Sequence, residues 1–203
     1  MPLISPTNTQ PRSALRRKLR ERRAGLAPDA AAAASAAAVE RLTRSPEFDR
    51  AQRIAGYVAV RGEIDPSAAL ETAHRQGKTI YLPRIAEEIR LSFEPWRPGD
   101  TLHENRFSIP EPRAGIGAIA PEALDLVIVP LLAFDATGTR IGSGAGYYDR
   151  SFAFRHTAAL PLLAGFAYAL QECPQLPCAE WDVPLDLVVT EQGIARFSER
   201  SEA

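Results

Sequence analysis

The sequence DLVIVPLLAF, residues 125–134, is almost continuously apolar and is rich in valine, leucine and isoleucine. A strand that is apolar at successive positions buries both of its faces, which is typical of the centre of a parallel sheet. We therefore predict that this run is a buried central strand. The rest of the fold can be worked out from it in both directions along the chain.

Shorter apolar runs alternate with helical or turn segments on both sides of this strand, a pattern that predicts an α/β sheet. Strands are predicted at residues 53–60, 79–85, 162–167 and 185–190, with residues 91–96 as a polar-alternating edge strand. Helices are predicted from Ser13 to Leu26, from 28 to 44 and from 66 to 76, and the proline-rich stretch 107–121 is predicted to be a long loop. One domain, residues 12–197, is expected between tails at 1–11 and 198–203.

The composition excludes several classes of protein. The chain has 203 residues, 45% of them hydrophobic and 24% charged, and Lys+Arg 24 against Asp+Glu 25 leaves a net charge of -1. This balance disfavours a general nucleic-acid binder. No stretch reaches the roughly 18 apolar residues of a membrane span, so no membrane partner is expected.

The sequence also predicts the cellular compartment and the state of the cysteines. The basic segment 12–23 could imitate a mitochondrial transit peptide, but the N-terminus lacks a signal-peptide core and the cytoplasm is the expected location. Cys173 and Cys178 lack the further cysteine or histidine ligands of a zinc set, so they are expected to be free thiols.

The segment AFDATGTRIGSGAGYYDR, residues 133–150, follows the central strand and alternates glycine with other residues at Gly142, Gly144 and Gly146. Such spacing lets backbone N–H groups approach a bulky anion, and a helix starting near Tyr147 would add its positive end. The segment lacks the Gly-Lys-Ser/Thr of a Walker A loop. A plain turn, with Asp149 as an ordinary first-turn helix residue, explains it equally well on these grounds.

The string RIGSGAGYYDR, residues 140–150, resembles the signature loop of the 5-formyltetrahydrofolate cyclo-ligase family. Further matching stretches are the arginines of the first helix, RGEIDP at 61–66, LPR at 82–84 and WDVPLD at 181–186. The resemblance covers residues 13–190. It implies a single α/β domain with a mainly parallel sheet flanked by helices, similar to sugar-phosphate isomerase and CoA-transferase folds.

The resemblance also implies a reaction. Family members convert 5-formyltetrahydrofolate and ATP, with Mg²⁺, into 5,10-methenyltetrahydrofolate, ADP and phosphate through a phosphorylated formyl intermediate. Small molecules are then the expected partners, and a monomer is the expected state. Two alternatives remain: a divergent relative acting on another formylated amine, and a non-catalytic nucleotide- or RNA-binding module using the N-terminal arginines.

Roles follow from the matching positions, residue by residue. Arg140 and Tyr147 are the expected catalytic residues, and Asp149 and Asp186 the expected Mg²⁺ ligands. The expected ATP contacts are Arg12, Ser13, Ala14, Leu15, Arg16, Arg140, Ile141, Gly142, Ser143, Gly144, Ala145, Gly146, Tyr147 and Tyr148. The expected folate contacts are Val58, Glu63, Ser143, Gly144, Ala145, Gly146 and Tyr147.

Three positions have a competing structural interpretation. Asp186 could simply cap the end of a strand, and Glu63 could be a solvated loop acid. Trp181 could cover the pterin or fill the core, and packing is slightly favoured. Arg12 stands where the family commonly has lysine, which keeps the charge but replaces a point ammonium with a planar fork.

Overall fold

The computed structural model describes residues 12–197, and the two predicted tails lie outside the described residues. The helices are α1 (Arg12–Ala24), α2 (Pro28–Thr43), α3 (Pro46–Arg50), α4 (Ser67–Arg75) and α5 (Tyr147–Ser151). The strands are β1 (Arg53–Ala55), β2 (Thr79–Ile85), β3 (Leu91–Trp96), β4 (His103–Glu104), β5 (Pro110–Glu111), β6 (Leu126–Pro130), β7 (Ala133–Phe134), β8 (Arg140–Ile141), β9 (Leu162–Phe166), β10 (Leu187–Val189) and β11 (Ile194–Arg196).

Seven strands form the main sheet in the order β11-β10-β9-β6-β1-β2-β3. The strand predicted to be central, β6, is the fourth of the seven. Neighbouring strands from β2 to β10 pair in parallel, and only the two edge strands, β3 and β11, are antiparallel. The predicted mainly parallel α/β sheet is therefore confirmed, and β3 is an edge strand as expected. The edge strand β11 was not predicted.

Both faces of β6 are buried, as its sequence requires. Leu126 and Ile128 pack into the core that α2 and α4 cover. Val127 and Val129 belong to the core on the other face, together with Phe93 and Phe152. Because successive side chains of a strand point to opposite faces, only a run that is apolar at every position can fill both cores.

Four predicted strands are shorter in the structure, two of them by five residues each. The run at residues 125–134 leaves the main sheet after Pro130. Its last two residues form β7, which pairs with β8 in a separate antiparallel hairpin whose strands have two residues each. Proline has no N–H to donate to a ladder, which favours the end of β6 at Pro130. The run at residues 53–60 pairs as a strand only through Ala55, and the residues after it turn into the cleft described below.

Helix α1 is amphipathic, as its spacing predicts. Leu15 and Leu19 are buried in a third core with Leu132, Ile141 and other residues of the β7–β8 region. The helix therefore lies against the hairpin that leads into the glycine loop. No helix within residues 12–197 is both long and apolar enough to cross a membrane. Both cysteines are free thiols, as predicted, Cys173 buried and Cys178 exposed.

Gly165 in β9 provides a test of how tightly the sheet packs beneath the site. A Cβ atom at this position would lie 2.6 Å from Leu185 Cδ1, 2.8 Å from Leu131 Cδ2 and 2.9 Å from Val188 Cγ2. We expect Gly165→Ala to lower the free energy of unfolding by about 1–3 kcal/mol, measured by urea denaturation, because the core is overpacked. Gly193→Ala, which meets nothing within 4 Å, is the control, and equal losses in both variants would contradict the packing argument.

Candidate active site

A cleft of about 1140 Å³ opens at the carboxyl ends of β1, β2 and β6. This end of a parallel sheet is where ligands of open α/β folds usually bind. One wall is α1, which contributes several arginines, and the opposite wall is the glycine loop, residues 142–146, which joins β8 to α5. The sequence signals at residues 12–16, 58–63 and 140–149 therefore converge on one space.

The glycine loop is held by arginine side chains that bind its carbonyl groups. Arg16 Nε donates to the Gly142 carbonyl at 3.1 Å, Arg20 Nη2 to the Ser143 carbonyl at 2.9 Å, and Arg150 Nη1 to the Ala145 carbonyl at 2.7 Å. With the carbonyls tied back, the N–H groups of residues 142–146 have no acceptor among residues 12–197. Free backbone donors next to guanidinium groups are suited to an anion with several oxygens.

Two glycines give the loop its conformation. Gly144 has a φ of +117° and Gly146 a φ of +72°, which side chains other than hydrogen rarely allow. Helix α5 begins at Tyr147, as predicted, but it has only five residues. The anion-binding capacity of this segment therefore resides mainly in the loop amides and the arginines, and only slightly in a helix dipole.

Arg140 and Asp149 form a pair at the base of the loop. Arg140 Nη1 donates to Asp149 Oδ1 at 2.8 Å, and the Val183 N–H donates to the same oxygen at 3.2 Å. Arg140 is only 7% exposed, while the side chain of Asp149 keeps 22% of its surface accessible. Asp149 Oδ2 makes no hydrogen bond within residues 12–197 and can serve as a ligand for a cation in the cleft.

The second predicted metal ligand, Asp186, does not line the cleft. Its two carboxylate oxygens accept hydrogen bonds from Arg155 Nη2 at 2.6 and 2.7 Å, and Oδ2 also accepts the Leu163 N–H at 2.7 Å. A carboxylate used in this way fixes the start of β10 against β9, which matches the strand-end interpretation. Within the described part of the chain, no three His, Cys, Asp or Glu side chains cluster as metal ligands.

Of the five predicted ATP contacts on α1, two line the cleft. Arg16 holds the glycine loop, and Arg12 forms an ion pair with Asp182 at 2.5 Å and donates to the Pro177 carbonyl at 2.9 Å. Ser13 and Ala14 are not part of the lining, and Leu15 is buried in the core. The helical period explains this difference, because residues four apart share a face and those between them point elsewhere.

Glu63 occupies the far end of the cleft, where Val58 also lines the wall. Glu63 Oε1 lies 3.8 Å from Arg23 Nη1, and Oε2 accepts the Val60 N–H at 3.2 Å. Burial raises the pKa of Glu63, opposed by the Val60 N–H and by Arg23, and it lowers the pKa of Arg23. Glu63 is thus a largely desolvated carboxylate, which excludes its interpretation as a solvated loop acid.

The two tyrosines of the signature have different environments. Tyr147 lines the cleft, and its hydroxyl accepts a hydrogen bond from Arg106 Nη2 at 2.8 Å while its ring meets Phe107 edge-on at 6.3 Å. Tyr148 stacks on Phe152 at 6.1 Å, and burial, followed by the charge of Glu63, raises the pKa of its phenol. Tyr147 therefore keeps a hydroxyl proton to donate to a ligand.

Three residues of the site were missed by sequence reasoning. Arg106 and Phe107 belong to the turn between β4 and β5, a short hairpin that reaches the cleft from a stretch without apolar periodicity. Asp182 was quoted only as part of the motif 181–186, although its pairing with Arg12 joins the two ends of the chain. An arginine-binding carboxylate cannot be identified from one sequence, because its partner lies 170 positions away.

The expected packing role of Trp181 is wrong. Its side chain is 70% exposed and stands on the rim of the cleft, so it contributes nothing to the core. The turn that carries it is closed by the Asp182 N–H, which donates to the Ala179 carbonyl at 3.0 Å. The ring is displayed towards the ligand space rather than folded inwards.

A mainly parallel sheet with an arginine-rich cleft at the carboxyl ends of its strands is typical of a small α/β enzyme. The sequence matches the model of one family over residues 8–191. The chain belongs to the 5-formyltetrahydrofolate cyclo-ligase family, so the resemblance found in the glycine loop is confirmed. It is therefore a ligase of folate metabolism.

Known relatives cover nearly the whole chain. The 5-formyltetrahydrofolate cyclo-ligase of Escherichia coli K12 is 35% identical over 176 residues, 85% of this chain and 96% of that protein. The Haemophilus influenzae protein of the same name is 33% identical over 187 residues, 90% and 99% of the two chains. The Aquifex aeolicus 5,10-methenyltetrahydrofolate synthetase structure superposes with a TM-score of 0.80 at 30% identity and covers 95% of both chains.

Proposed function

We propose that this protein uses ATP to close the ring of 5-formyltetrahydrofolate, releasing 5,10-methenyltetrahydrofolate, ADP and phosphate. The observation that carries the proposal is the glycine loop: its amides are free while arginines bind its carbonyls, and Arg140 and Asp149 lie at its base. The same cleft holds a desolvated carboxylate, Glu63, at its far end. A phosphate-binding segment and a pterin-binding group are thus combined in one space.

The chemistry explains the need for ATP. The oxygen of the N5-formyl group belongs to an amide and is a poor leaving group, so attack by N10 on the formyl carbon cannot expel it. Transfer of the terminal phosphoryl group to that oxygen makes it a phosphate ester. N10 then attacks the formyl carbon and forms the new carbon–nitrogen bond, the carbon–oxygen bond breaks, and phosphate departs with the proton that N10 loses. The protein's part is positioning and charge neutralisation, the usual contribution of phosphoryl-transfer sites.

Arg140 and Tyr147 are proposed to act on the transferred group. Arg140 is buried and held by Asp149, so its remaining N–H groups can meet phosphate oxygens without reorganisation. The hydroxyl of Tyr147, fixed by Arg106, can donate to the formyl oxygen or to the phosphoryl group bound to it. The loop amides are proposed to bind the oxygens of the remaining phosphates.

Of the two aspartates expected to bind Mg²⁺, only Asp149 fits this role. Mg²⁺ keeps several waters and takes one or two carboxylates with substrate phosphates, so one accessible oxygen on Asp149 suffices. When bound, the ion supplies positive charge that neutralises the phosphate oxygens. Asp186 does not fit this role because Arg155 and the Leu163 N–H use its oxygens.

Glu63 is proposed to accept hydrogen bonds from the amino and ring N–H groups of the pterin. A desolvated carboxylate opposite such donors gives strong, charge-assisted hydrogen bonds. The positive charge of Arg23 partly compensates the negative charge of Glu63. Because the two groups are 3.8 Å apart, beyond hydrogen-bond range, Arg23 leaves the carboxylate available to a ligand. Arg16 and Arg20 of α1 face the loop and Arg23 faces Glu63, an arrangement that favours a small ligand over an RNA surface.

The test is to mix the purified protein with Mg-ATP and 5-formyltetrahydrofolate and to follow the absorbance of the methenyl product. We expect product and ADP in equal amounts. Omitting ATP should abolish product formation, and a chelator should reduce it strongly. A folded protein that forms no product would contradict the proposal and favour another formylated amine as substrate.

The proposed cytoplasmic location is consistent with the free thiols of Cys173 and Cys178. The expected monomer is tested by gel filtration.

The raised pKa of Glu63 predicts how folate binding depends on pH. The ionised carboxylate is the form that accepts hydrogen bonds, so affinity should fall on acidification through the raised pKa, at a higher pH than for an ordinary glutamate. Calorimetric titration with the folate between about pH 8 and pH 5 measures this. Glu63→Gln should bind weakly with a flat profile, whereas Glu71→Gln on α4 should keep the wild-type curve. A profile unchanged by Glu63→Gln would contradict the role of this residue.

A further inference from the structure

Trp181 is a large exposed side chain to which neither the core nor the proposed chemistry gives a role. Its exposure of 70% is the highest among the large hydrophobic residues that lie exposed in the described part of the chain. The ring makes no aromatic or cation–π contact with any residue from 12 to 197. Tryptophan offers a large, rigid apolar face, and its position on the rim of a cleft makes that face available to a ligand bound there.

The turn that carries Trp181 is fixed on both sides. The Ala179 N–H donates to Asp182 Oδ2 at 2.8 Å, and the Asp182 N–H donates back to the Ala179 carbonyl. Arg12 then binds the same carboxylate at 2.5 Å and the Pro177 carbonyl at 2.9 Å, which anchors the turn to the start of α1. The backbone under the ring is therefore immobilised before any ligand arrives, which lowers the entropy cost of binding.

Helix α1 sets the order of the groups along the cleft. Its first turn holds the Trp181 turn through Arg12, its middle holds the glycine loop through Arg16 and Arg20, and its last turn reaches Glu63 through Arg23. At about 1.5 Å per residue, Arg12 and Arg23 are roughly 16 Å apart along the axis, with the loop between them. Trp181, the glycine loop and Glu63 therefore lie in this order along α1.

The reaction requires the same order in its two substrates. The terminal phosphoryl group must meet the formyl oxygen, so the folate lies beyond that phosphate and the nucleoside lies on the other side of the chain of phosphates. With the pterin at Glu63, the nucleobase is directed to the opposite end of α1. Trp181 is the aromatic side chain on the cleft rim at that end.

We propose that Trp181 is the stacking platform for the purine base of ATP, held in position by the Arg12–Asp182 pair. This inference rests on the proposed function. Stacking on an aromatic side chain requires only the face of a base, so the contribution of Trp181 to binding should increase with the area of the base. Purines should therefore bind more tightly than pyrimidine nucleotides, and the preference between adenine and guanine should be small unless other groups contribute.

The experiment compares ATP with inorganic tripolyphosphate, which can occupy the glycine loop but has no base. Both are titrated calorimetrically, in the presence of Mg²⁺, into wild-type protein, Trp181→Ala, Trp181→Phe and Trp96→Phe. Trp96 in β3 is half-buried and does not line the cleft, so it is the matched control. Thermal unfolding should be nearly the same for wild type and Trp181→Ala, because the ring is largely exposed and belongs to none of the three hydrophobic cores.

We expect Trp181→Ala to weaken ATP binding about tenfold while tripolyphosphate binding stays at the wild-type value. Trp181→Phe should recover most of the ATP affinity, and Trp96→Phe should bind both ligands normally. Equal ATP affinity in wild type and Trp181→Ala would overturn the stacking role and leave the proposed function intact. 5-Formyltetrahydrofolate is titrated in the same way, and a loss of affinity confined to it in Trp181→Ala would place the pterin at Trp181 and also overturn the stacking role. If wild type binds neither ligand, the proposed function itself fails.

Discussion

Replacing Arg140 by alanine is expected to lower kcat by about a hundredfold to a thousandfold with only a small change in the KM for folate. The reason is that this guanidinium is buried, pre-oriented by Asp149 at 2.8 Å and located at the base of the glycine loop, where we propose that the phosphoryl group is transferred. Removal of one pre-organised donor to a developing negative charge costs a factor of this size in other enzymes. The measurement is steady-state formation of the methenyl product with both substrates varied in turn.

Two further variants separate catalysis from folding. Arg140→Ala leaves Asp149 without its partner, and we expect some loss of stability, smaller than the roughly 3–5 kcal/mol of fully buried pairs because Asp149 is partly exposed. Arg140→Lys keeps the charge but loses the fork geometry, so it should fold well and remain slow. Arg53→Ala removes another arginine–aspartate pair, with Asp125, which is more exposed and lies outside the cleft, and this variant should retain full kcat. A normal kcat in folded Arg140→Ala would remove this residue from the mechanism.

Replacing Gly144 by alanine is expected to raise the KM for ATP about ten- to a hundredfold. Its φ of +117° lies in a region that costs about 1–3 kcal/mol for a residue with a side chain. An added Cβ would also lie 3.4 Å from the guanidinium of Arg16, which holds the loop through the Gly142 carbonyl. The loop would therefore relax, and its amides would no longer point at one ligand.

Gly77→Ala is the matched control for this variant. Gly77 has a φ of +79° just after α4, an added Cβ there would meet nothing within 4 Å, and the residue has no place in the lining of the cleft. The variant should lose about 1 kcal/mol of stability and keep the wild-type KM for ATP. If both variants bind ATP normally, the conformation of Gly144 is irrelevant to phosphate binding. If both lose affinity equally, the loss reflects general destabilisation.

The fold could be predicted largely because β6 has an unambiguous sequence. Its continuous apolar run requires burial on two faces, and that condition alone places it in the middle of a parallel sheet. The ends of elements were less accurate, since the same run crosses Pro130 without any change in polarity. β11 escaped notice because a three-residue edge strand is too short to produce a pattern.

The site was predictable where the residue type itself determines the backbone conformation. Alternating glycines predict a tightly turning loop, and Glu63, which lines the cleft, was singled out by its position in the motif RGEIDP. Trp181 was misjudged because the turn that exposes it is held by Arg12, which is distant in the chain. The metal role of Asp186 stays a prediction, and in the structure its carboxylate binds Arg155, a partner that the sequence could not indicate. A tryptophan is more often buried than displayed, and an aspartate beside a strand has the same sequence whether it binds a metal or a guanidinium.

The contact between Arg12 and Asp182 spans 170 positions, almost the whole described chain. During synthesis on the ribosome, the strands from β1 to β9 are available before the turn that carries Asp182 has been translated. Domains close their most distant contacts only when the late segments emerge. The nascent polypeptide can therefore pair the strands from β1 to β9 while the Arg12 end of the cleft is still open, and this end closes only after Asp182 has been translated.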